Sequence, residues 1–136
     1  MKIFLSNDSG HEDRDRIIIF GTNETLQLLC GSQVLYSDGT FKTVPNQFLQ
    51  MYTLHCLYGN SVFPCIYALT VRKNEVTYRQ ILTKVKKLAN GNGWELQPTT
   101  VMMDFELAAM NAVREVFQGC EVTLPKPYGG RLSRMA

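Results

Sequence analysis

The spacing of hydrophobic positions changes along the chain, and each change predicts a different element. The run Val34 to Phe41 is typical of a buried strand, and Phe48 to Tyr58 is apolar on both alternating faces, as in a strand covered on both sides. Gly59-Asn60 then fits a two-residue hairpin turn into a returning strand from Val62 to Val71. These runs predict a three-stranded antiparallel meander, with Pro64 at an edge or a bulge.

After Asn74 the apolar spacing becomes helical. Asn74 is a suitable N-cap, and Asn90-Gly91 is expected to end this helix. A strand at Val101 to Met103, a second helical run from Phe105 to Val116 and a short strand at Cys120 to Leu124 follow. We therefore predict an α/β fold with a mixed five-stranded sheet, in which the meander is followed by alternating helices and strands with parallel crossovers.

The two ends of the chain predict less regular structure. Ile17 to Phe20 predicts a short strand, and the following residues predict a brief helix capped by Asn23 and ended by Gly31. The residues before this strand are polar with both signs of charge, and the C-terminal residues are rich in Pro and Gly. The predicted parts are a flexible segment at 1–16, one domain at 17–124 and a disordered tail at 125–136.

Composition narrows the class of protein only slightly. The 136 residues suffice for one core, and 14 basic against 12 acidic residues give a net charge of +2, which leaves the partner open. No apolar run is long enough to span a bilayer, so we expect no membrane partner. The four cysteines show no metal-binding spacing and are expected to be reduced thiols.

Some residues with possible chemistry have simpler explanations. A single histidine within the apolar hairpin, His55, is interpreted as a core residue with satisfied hydrogen bonds rather than a ligand. Lys84, Lys86 and Lys87 are placed near the last turns of the long helix, where they would complement its dipole. A phosphate-binding stripe is the less favoured alternative.

Two acids stand out against the apolar pattern. Asp38 lies inside a run that otherwise predicts a buried strand, and Asp104 ends the later run Thr99 to Met103. If these strands are parallel neighbours, both carboxylates meet at one end of the sheet, where α/β folds carry their sites. Two close carboxylates repel unless a divalent cation lies between them, and oxygen ligands suit Mg²⁺ or Mn²⁺.

Spacing alone leaves alternatives open for both acids. Asp104 precedes a helical run and would serve as its N-cap, whereas Asp38 before Gly39 would be an ordinary turn pair. Gly39 itself indicates either an unusual backbone angle or a close approach by another group.

Several motifs in a fixed order carry a family resemblance. They are Asp38-Gly39-Thr40-Phe41-Lys42-Thr43-Val44-Pro45, Phe48 to His55, Pro64 with Tyr67-Ala68-Leu69, Thr77-Tyr78, and Met103-Asp104-Phe105-Glu106 with Ala108 and Ala109. From about Ile17 to Val122 the chain resembles the transposase domain of Mutator-like elements (MULE). The resemblance implies a ribonuclease H-like fold of the DDE transposase superfamily. In that family Asp38 and Asp104 would match the first two catalytic, metal-binding acids for Mg²⁺ or Mn²⁺.

The resemblance also implies DNA as a partner and a nuclear location, or otherwise a cytoplasmic one. The family continues with a Cys and His motif and with helices that carry a third acid, whereas here Leu124 is followed by Pro-Lys-Pro. No residue matches the third acid, and Glu106, Glu115 and Glu121 cannot be assigned to it. We therefore expect a truncated domain, related to metal-dependent DNA strand cleavage and transfer, that is inactive alone.

Three alternatives remain. Another transposase chain would supply the missing C-terminal helix, or the chain is a fragment that does not fold stably. The third alternative is a non-catalytic DNA- or protein-binding module, for which the sequence identifies no specific contact residues. Its support is the basic surplus, which includes Lys84, Lys86, Lys87, Lys126, Arg131 and Arg134.

Overall fold

A computed structural model describes residues 5–41, 44–45, 47–58 and 60–124. The described part of the chain forms a mixed α/β structure with seven strands and three helices. The elements are β1 (Leu5–Asp8), β2 (Ile17–Gly21), α1 (Asn23–Cys30), β3 (Val34–Thr40), β4 (Gln50–Tyr58), β5 (Ser61–Thr70), α2 (Glu75–Gly91), β6 (Thr100–Met103), α3 (Leu107–Val116) and β7 (Glu121–Thr123).

The strands form one sheet in the order β1-β2-β5-β4-β3-β6-β7. The meander β3-β4-β5 is antiparallel, and β3 pairs in parallel with β6, which pairs in parallel with β7. Both arrangements confirm the topology expected from the sequence. α2 connects β5 to β6, and α3 connects β6 to β7, so both helices are crossover connections between strands that run in the same direction.

The predicted number of five strands is wrong, because two further strands extend the sheet beyond β5. β2 corresponds to the short strand predicted at Ile17 to Phe20, and it pairs antiparallel with Ile66 to Thr70. β1 pairs with β2, although it comes from the segment for which the sequence predicted flexibility. β1 has no apolar alternation, so its strand conformation depends on this pairing.

A charged contact supports the pairing of β1 with β2. The Arg16 guanidinium donates to both carboxylate oxygens of Asp8, at 2.9 and 2.6 Å. This contact, together with a hydrogen bond from the Gly10 backbone, lowers the pKa of Asp8 to about 2.

The boundaries of the three predicted parts stay a prediction, and the tail at 125–136 lies outside the described residues.

All three helices pack against one face of the sheet. Strand residues that alternate along each strand join helix residues in a single buried cluster, so helices and strands share one core. The cluster includes Ile17 and Ile19 from β2, Leu54 and Cys56 from β4, Val101 and Met103 from β6, Leu26 and Leu29 from α1, Tyr78 and Ile81 from α2, and Ala109 and Val113 from α3. The intervening strand residues therefore face the other side of the sheet.

Local signals placed most helix ends within a residue. The Asn74 side chain accepts from the Thr77 backbone at 2.9 Å and caps α2, as predicted. α1 instead has Thr22 as its N-cap, in a reciprocal pair with Thr25, so the prediction of Asn23 is wrong by one residue. No basic residue lies in the last turn of α2; Lys84, Lys86 and Lys87 lie before it, where the helix dipole attracts a charge less strongly. The Lys86 ammonium donates to the Val116 carbonyl at 3.2 Å.

The hairpin between β4 and β5 contains the predicted irregularity. The register shifts between Leu54 and His55, where the β5 partners change from Ile66 to Pro64. Pro64 thus lies beside a bulge, which is the position that its missing N–H allows.

The four cysteines are free thiols, as predicted. Within the described residues no helix is long and apolar enough to cross a membrane.

Candidate functional site

Asp38 and Asp104 lie side by side at the same end of the sheet. The parallel register of β3 and β6 runs from Val34 opposite Thr100 to Ser37 opposite Met103. Asp38 is the next residue of β3, two residues before its end, and Asp104 directly follows the last residue of β6. The parallel neighbours that the sequence required are therefore present, and the two acids meet as expected.

The structure excludes both simpler explanations for these acids. Asp38 and Gly39 lie within β3, where they pair with Thr53 and Tyr52, so they do not form a turn. Helix α3 begins at Leu107 with Glu106 in the N-cap position, so Asp104 does not cap it. Neither acid is explained by local backbone structure.

The electrostatic environment of Asp38 disfavours its charge. Burial raises the pKa of Asp38, the neighbouring Asp104 raises it further, and a hydrogen bond from the Gly39 backbone opposes both effects. A bound cation would reverse this balance, because it attracts the carboxylates that otherwise repel each other. The raised pKa of Asp38 thus reflects two carboxylates that lie close together in a partly buried position.

Gly39 allows a close approach, which was one of the two roles its sequence position suggested. A Cβ atom at Gly39 would lie 2.5 Å from Oε1 of Gln50, and the backbone of Gly39 is not left-handed. Gln50 is buried, at 1% exposure. Any larger residue at position 39 would therefore displace a buried amide next to Asp38.

That amide begins a chain of hydrogen bonds that ends at Glu106. Gln50 donates from Nε2 to the Tyr78 hydroxyl at 3.0 Å, and the hydroxyl donates to Oε2 of Glu106 at 2.7 Å. Lys73 lies 3.9 Å from the same carboxylate oxygen. Glu106, Asp38 and Asp104 line one cavity of about 170 Å³.

A comparison with protein families decides the classification. The family model of the MULE transposase domain matches residues 34–125, more than half of the chain. The chain belongs to the MULE transposase domain family. No curated protein matches it significantly. The match includes Asp38 and Asp104, whereas β1, β2 and α1 precede it.

The structure distinguishes three glutamates that the sequence left unassigned in this MULE transposase domain. Glu106 lines the cavity of the two aspartates, but its carboxylate is bonded to Tyr78 and paired with Lys73. Glu115 pairs with Arg79 at 3.5 Å on the helix layer. Glu121 is the strand neighbour of Thr100 in the β6–β7 register, and Thr100 is at the opposite end of β6 from Asp104.

The MULE transposase family suggests a divalent metal ion, and the two aspartates fit one only in part. Among the described residues, no group of three or more His, Cys, Asp or Glu side chains is arranged to hold a metal. Two carboxylates are nevertheless a normal protein contribution to Mg²⁺, which keeps several water ligands. Asp38 and Asp104 are therefore the residues that would hold the ion, with water completing its coordination.

Two buried hydroxyls of this MULE transposase domain were missed by the sequence analysis. Ser37 and Tyr52 line the same cavity, and neither hydroxyl meets a partner in hydrogen-bond geometry within the described residues. Burial raises the pKa of Tyr52 to about 12, although nearby Ser37 opposes the rise. Ser37 precedes Asp38 in the sequence, and Tyr52 lies opposite Gly39 on the paired strand, so their places beside the acid were predictable. The alternation of residues along a strand does not show whether a hydroxyl finds a hydrogen-bond partner.

Proposed function

We propose that Asp38 and Asp104 bind a divalent cation for phosphoryl transfer on DNA, in the manner of ribonuclease H-like DDE transposases. The observation that carries this proposal is the adjacent carboxylate pair at the ends of β3 and β6. The raised pKa of Asp38 and the absence of a turn or cap role support it. Family membership makes a transposon-derived function and DNA interaction the expectation.

The topology supports the ribonuclease H-like part of the proposal. A meander passes into two parallel strands through crossover helices, giving the partial order β5-β4-β3-β6-β7. The sequence resemblance implies this order. β1 and β2 extend the edge beyond β5 and leave the β3–β6 pair unchanged.

In the proposed reaction the chain supplies position and charge. A bound divalent ion supplies a Lewis acid that activates water or a DNA 3′-hydroxyl and stabilises charge on the phosphoryl group. Asp38 and Asp104 orient such an ion through their carboxylates. The hydrogen bonds from Gln50 to Tyr78 and from Tyr78 to Glu106 hold the Glu106 side chain in place. Because Glu106 is two residues after Asp104, these bonds also restrict the segment that carries Asp104.

We further propose that the chain alone does not complete strand transfer. The described residues bring the carboxylates of Asp38 and Asp104 together, while the third carboxylate in the cavity, that of Glu106, is bonded to Tyr78 and paired with Lys73. A third ligand would come from another transposase chain. Ion binding by this chain is then weak.

Metal titration with DNA-cleavage assays tests both parts. We expect wild type to bind Mn²⁺ weakly, and we expect Asp38→Asn and Asp104→Asn to weaken this binding further. Glu12→Gln, which changes an exposed acid, should bind as wild type does. Equal Mn²⁺ affinity in all four proteins would refute the site, and Mg²⁺-dependent DNA cleavage by wild type that Asp38→Ala abolishes would refute the proposed inactivity.

A second candidate function is DNA binding without catalysis. Lys84 and Lys87 line a cleft of about 410 Å³ together with Arg79 and residues of the β1–β2 edge. Cationic side chains around a cleft favour contact with phosphate groups. Duplex binding that falls steeply with salt, and that weakens in a Lys84→Ala/Lys87→Ala variant but not in Asp38→Asn, would support this function; no binding at low salt would exclude it.

A further inference from the structure

A second cavity lies on the face of the sheet opposite the described helices. It has a volume of about 310 Å³, and Asp38, Thr53 and His55 are among the residues that line it. Asp38 also lines the cavity that contains Asp104. Asp38 is therefore common to both cavities.

Strand register places Asp38 and His55 on the same face. Asp38 is directly opposite Thr53, and His55 is two residues further along β4. Diagonal neighbours of this kind have backbones about 7–8 Å apart, within reach of one bridging group when both side chains are long enough. An aspartate and a histidine satisfy this condition around a single cation.

Hydrogen bonding determines which nitrogen of His55 is available. Nδ1 lies 3.1 Å from the backbone carbonyl oxygen of Tyr36. A carbonyl only accepts, so Nδ1 carries the proton and Nε2 keeps its lone pair. Burial lowers the pKa of His55, which favours this neutral form, while the bond to Tyr36 opposes the effect.

His55 lines this cavity, and Nε2 is the ring nitrogen outside its described hydrogen bond. His55 as a whole is 3% exposed. Among the described residues, the fully buried side-chain atoms that have no hydrogen-bond partner belong to Ser37, Tyr52 and Thr70, and no atom of His55 is among them. The hydrogen bond described for the His55 ring uses Nδ1. His55 and Asp38 line the same cavity, so a ligand bound there is the available partner for the Nε2 lone pair.

We propose that Asp38 and Nε2 of His55 together bind a first-row transition-metal dication such as Mn²⁺, Co²⁺ or Zn²⁺. The inference rests on the proposed function, because it uses the same Asp38 carboxylate. Imidazole nitrogen is a good ligand for these ions and a poor one for Mg²⁺, which prefers oxygen. Two protein donors hold the ion weakly, with water completing its coordination, and the site selects Mn²⁺ over Mg²⁺.

The competing explanation is that His55 is only a core residue whose bond to Tyr36 stabilises the hairpin. Both explanations require Nδ1, and only the metal site requires Nε2. His55→Asn separates them, because the shorter amide can still donate to the Tyr36 carbonyl but has no atom at the position of Nε2. His11→Asn is the matched control, since the chain contains two histidines and the side chain of His11 is 82% exposed.

Pulsed electron paramagnetic resonance of Mn²⁺ bound to the full chain tests the proposal. We expect nitrogen modulation from one imidazole in wild type and in His11→Asn, and its loss in His55→Asn with about tenfold or greater weakening of Mn²⁺ binding. Mg²⁺ affinity, measured by competition, should remain unchanged in His55→Asn. If His55→Asn does not fold, ¹⁵N-histidine labelling of His11→Asn gives the assignment, because the modulation must then change to that of ¹⁵N.

The outcomes separate this inference from the proposed function. Mn²⁺ binding that depends on Asp38 but shows no nitrogen modulation overturns the inference and leaves the Asp38–Asp104 site standing. Nitrogen modulation that disappears in His11→Asn overturns it as well. The absence of any Mn²⁺ binding by wild type overturns both.

Discussion

The Tyr78 hydroxyl connects the core to the candidate site, and its removal tests how strongly that connection stabilises the fold. Tyr78 is fully buried; its hydroxyl accepts from Gln50 and donates to Glu106. Tyr78→Phe removes both hydrogen bonds and leaves the Gln50 amide, at 1% exposure, without this partner. The variant therefore changes one oxygen atom and preserves the packing of the ring.

The expected cost follows from the two bonds. A hydrogen bond to a charged group contributes about 1.5–3 kcal/mol, and an unsatisfied buried amide costs about 1–3 kcal/mol. With partial relaxation of Gln50, we expect Tyr78→Phe to lower the free energy of unfolding by about 2–4 kcal/mol. For a chain of 136 residues this corresponds to a decrease in Tm of about 7–14 °C.

Tyr52→Phe is an internal control with the opposite expectation. The rings of Tyr52 and Tyr78 lie 5.0 Å apart in the same core. Among the described residues the Tyr52 hydroxyl meets no partner at hydrogen-bond geometry, although the Ser37 hydroxyl lies close enough to oppose the rise of its pKa. Its removal should therefore leave stability unchanged or raise it by about 1 kcal/mol. Both variants can be measured by urea unfolding followed by circular dichroism.

A specific pattern of results would refute this reasoning. If Tyr78→Phe unfolds within about 0.5 kcal/mol of wild type, the chain from Gln50 to Glu106 does not stabilise the fold. If both variants lose the same amount, the loss comes from ring packing rather than from the hydroxyl contacts.

Two further predictions concern Asp38 and Gly39. Because the pKa of Asp38 is raised above its ordinary value of 3.8, its stabilising contribution is present below that pH and is lost as pH rises through the raised pKa. Asp38→Asn should therefore stabilise the metal-free protein at neutral pH, by no more than about 1 kcal/mol at this partly exposed position, and should flatten the pH dependence of the urea midpoint; a less stable variant would contradict this sign. Gly39→Ala should cost about 1–2 kcal/mol in the same assay, because its Cβ would meet Oε1 of Gln50 at 2.5 Å and disturb the bond to Tyr78. Gly91→Ala, in α2 with open space around its Cβ position, should be neutral or stabilising, and equal losses in both alanine variants would contradict the steric explanation.

Local signals in the sequence determined much of the fold. The apolar alternation of β3 to β5 predicted the meander, and the Asn74 cap placed the start of α2. The acids after two apolar runs predicted neighbours at one sheet end, and the register confirms that arrangement. The alternation and the cap depend on a few adjacent residues, so a local pattern is sufficient to reveal them. The meeting of the two acids was predicted instead from the parallel crossover that the order of elements favours.

The tertiary structure decided the features that depend on distant parts of the chain. β1 carries no strand pattern of its own, and it is a strand because β2 provides backbone partners. Glu106 reaches the aspartates but bonds to Tyr78, which lies on another helix. His55 was interpreted as a core residue, and its bond to Tyr36 agrees with that; only the sheet shows that His55 and Asp38 line one cavity.

The sequence by itself thus determined which residues alternate, cap and pair locally, including the two acids of the MULE transposase domain. Only the tertiary structure decided which polar groups are already satisfied and which remain free for a ligand. The physical reason is that a hydrogen bond or an ion pair depends on atoms that meet in space, and such atoms come from residues far apart in the chain.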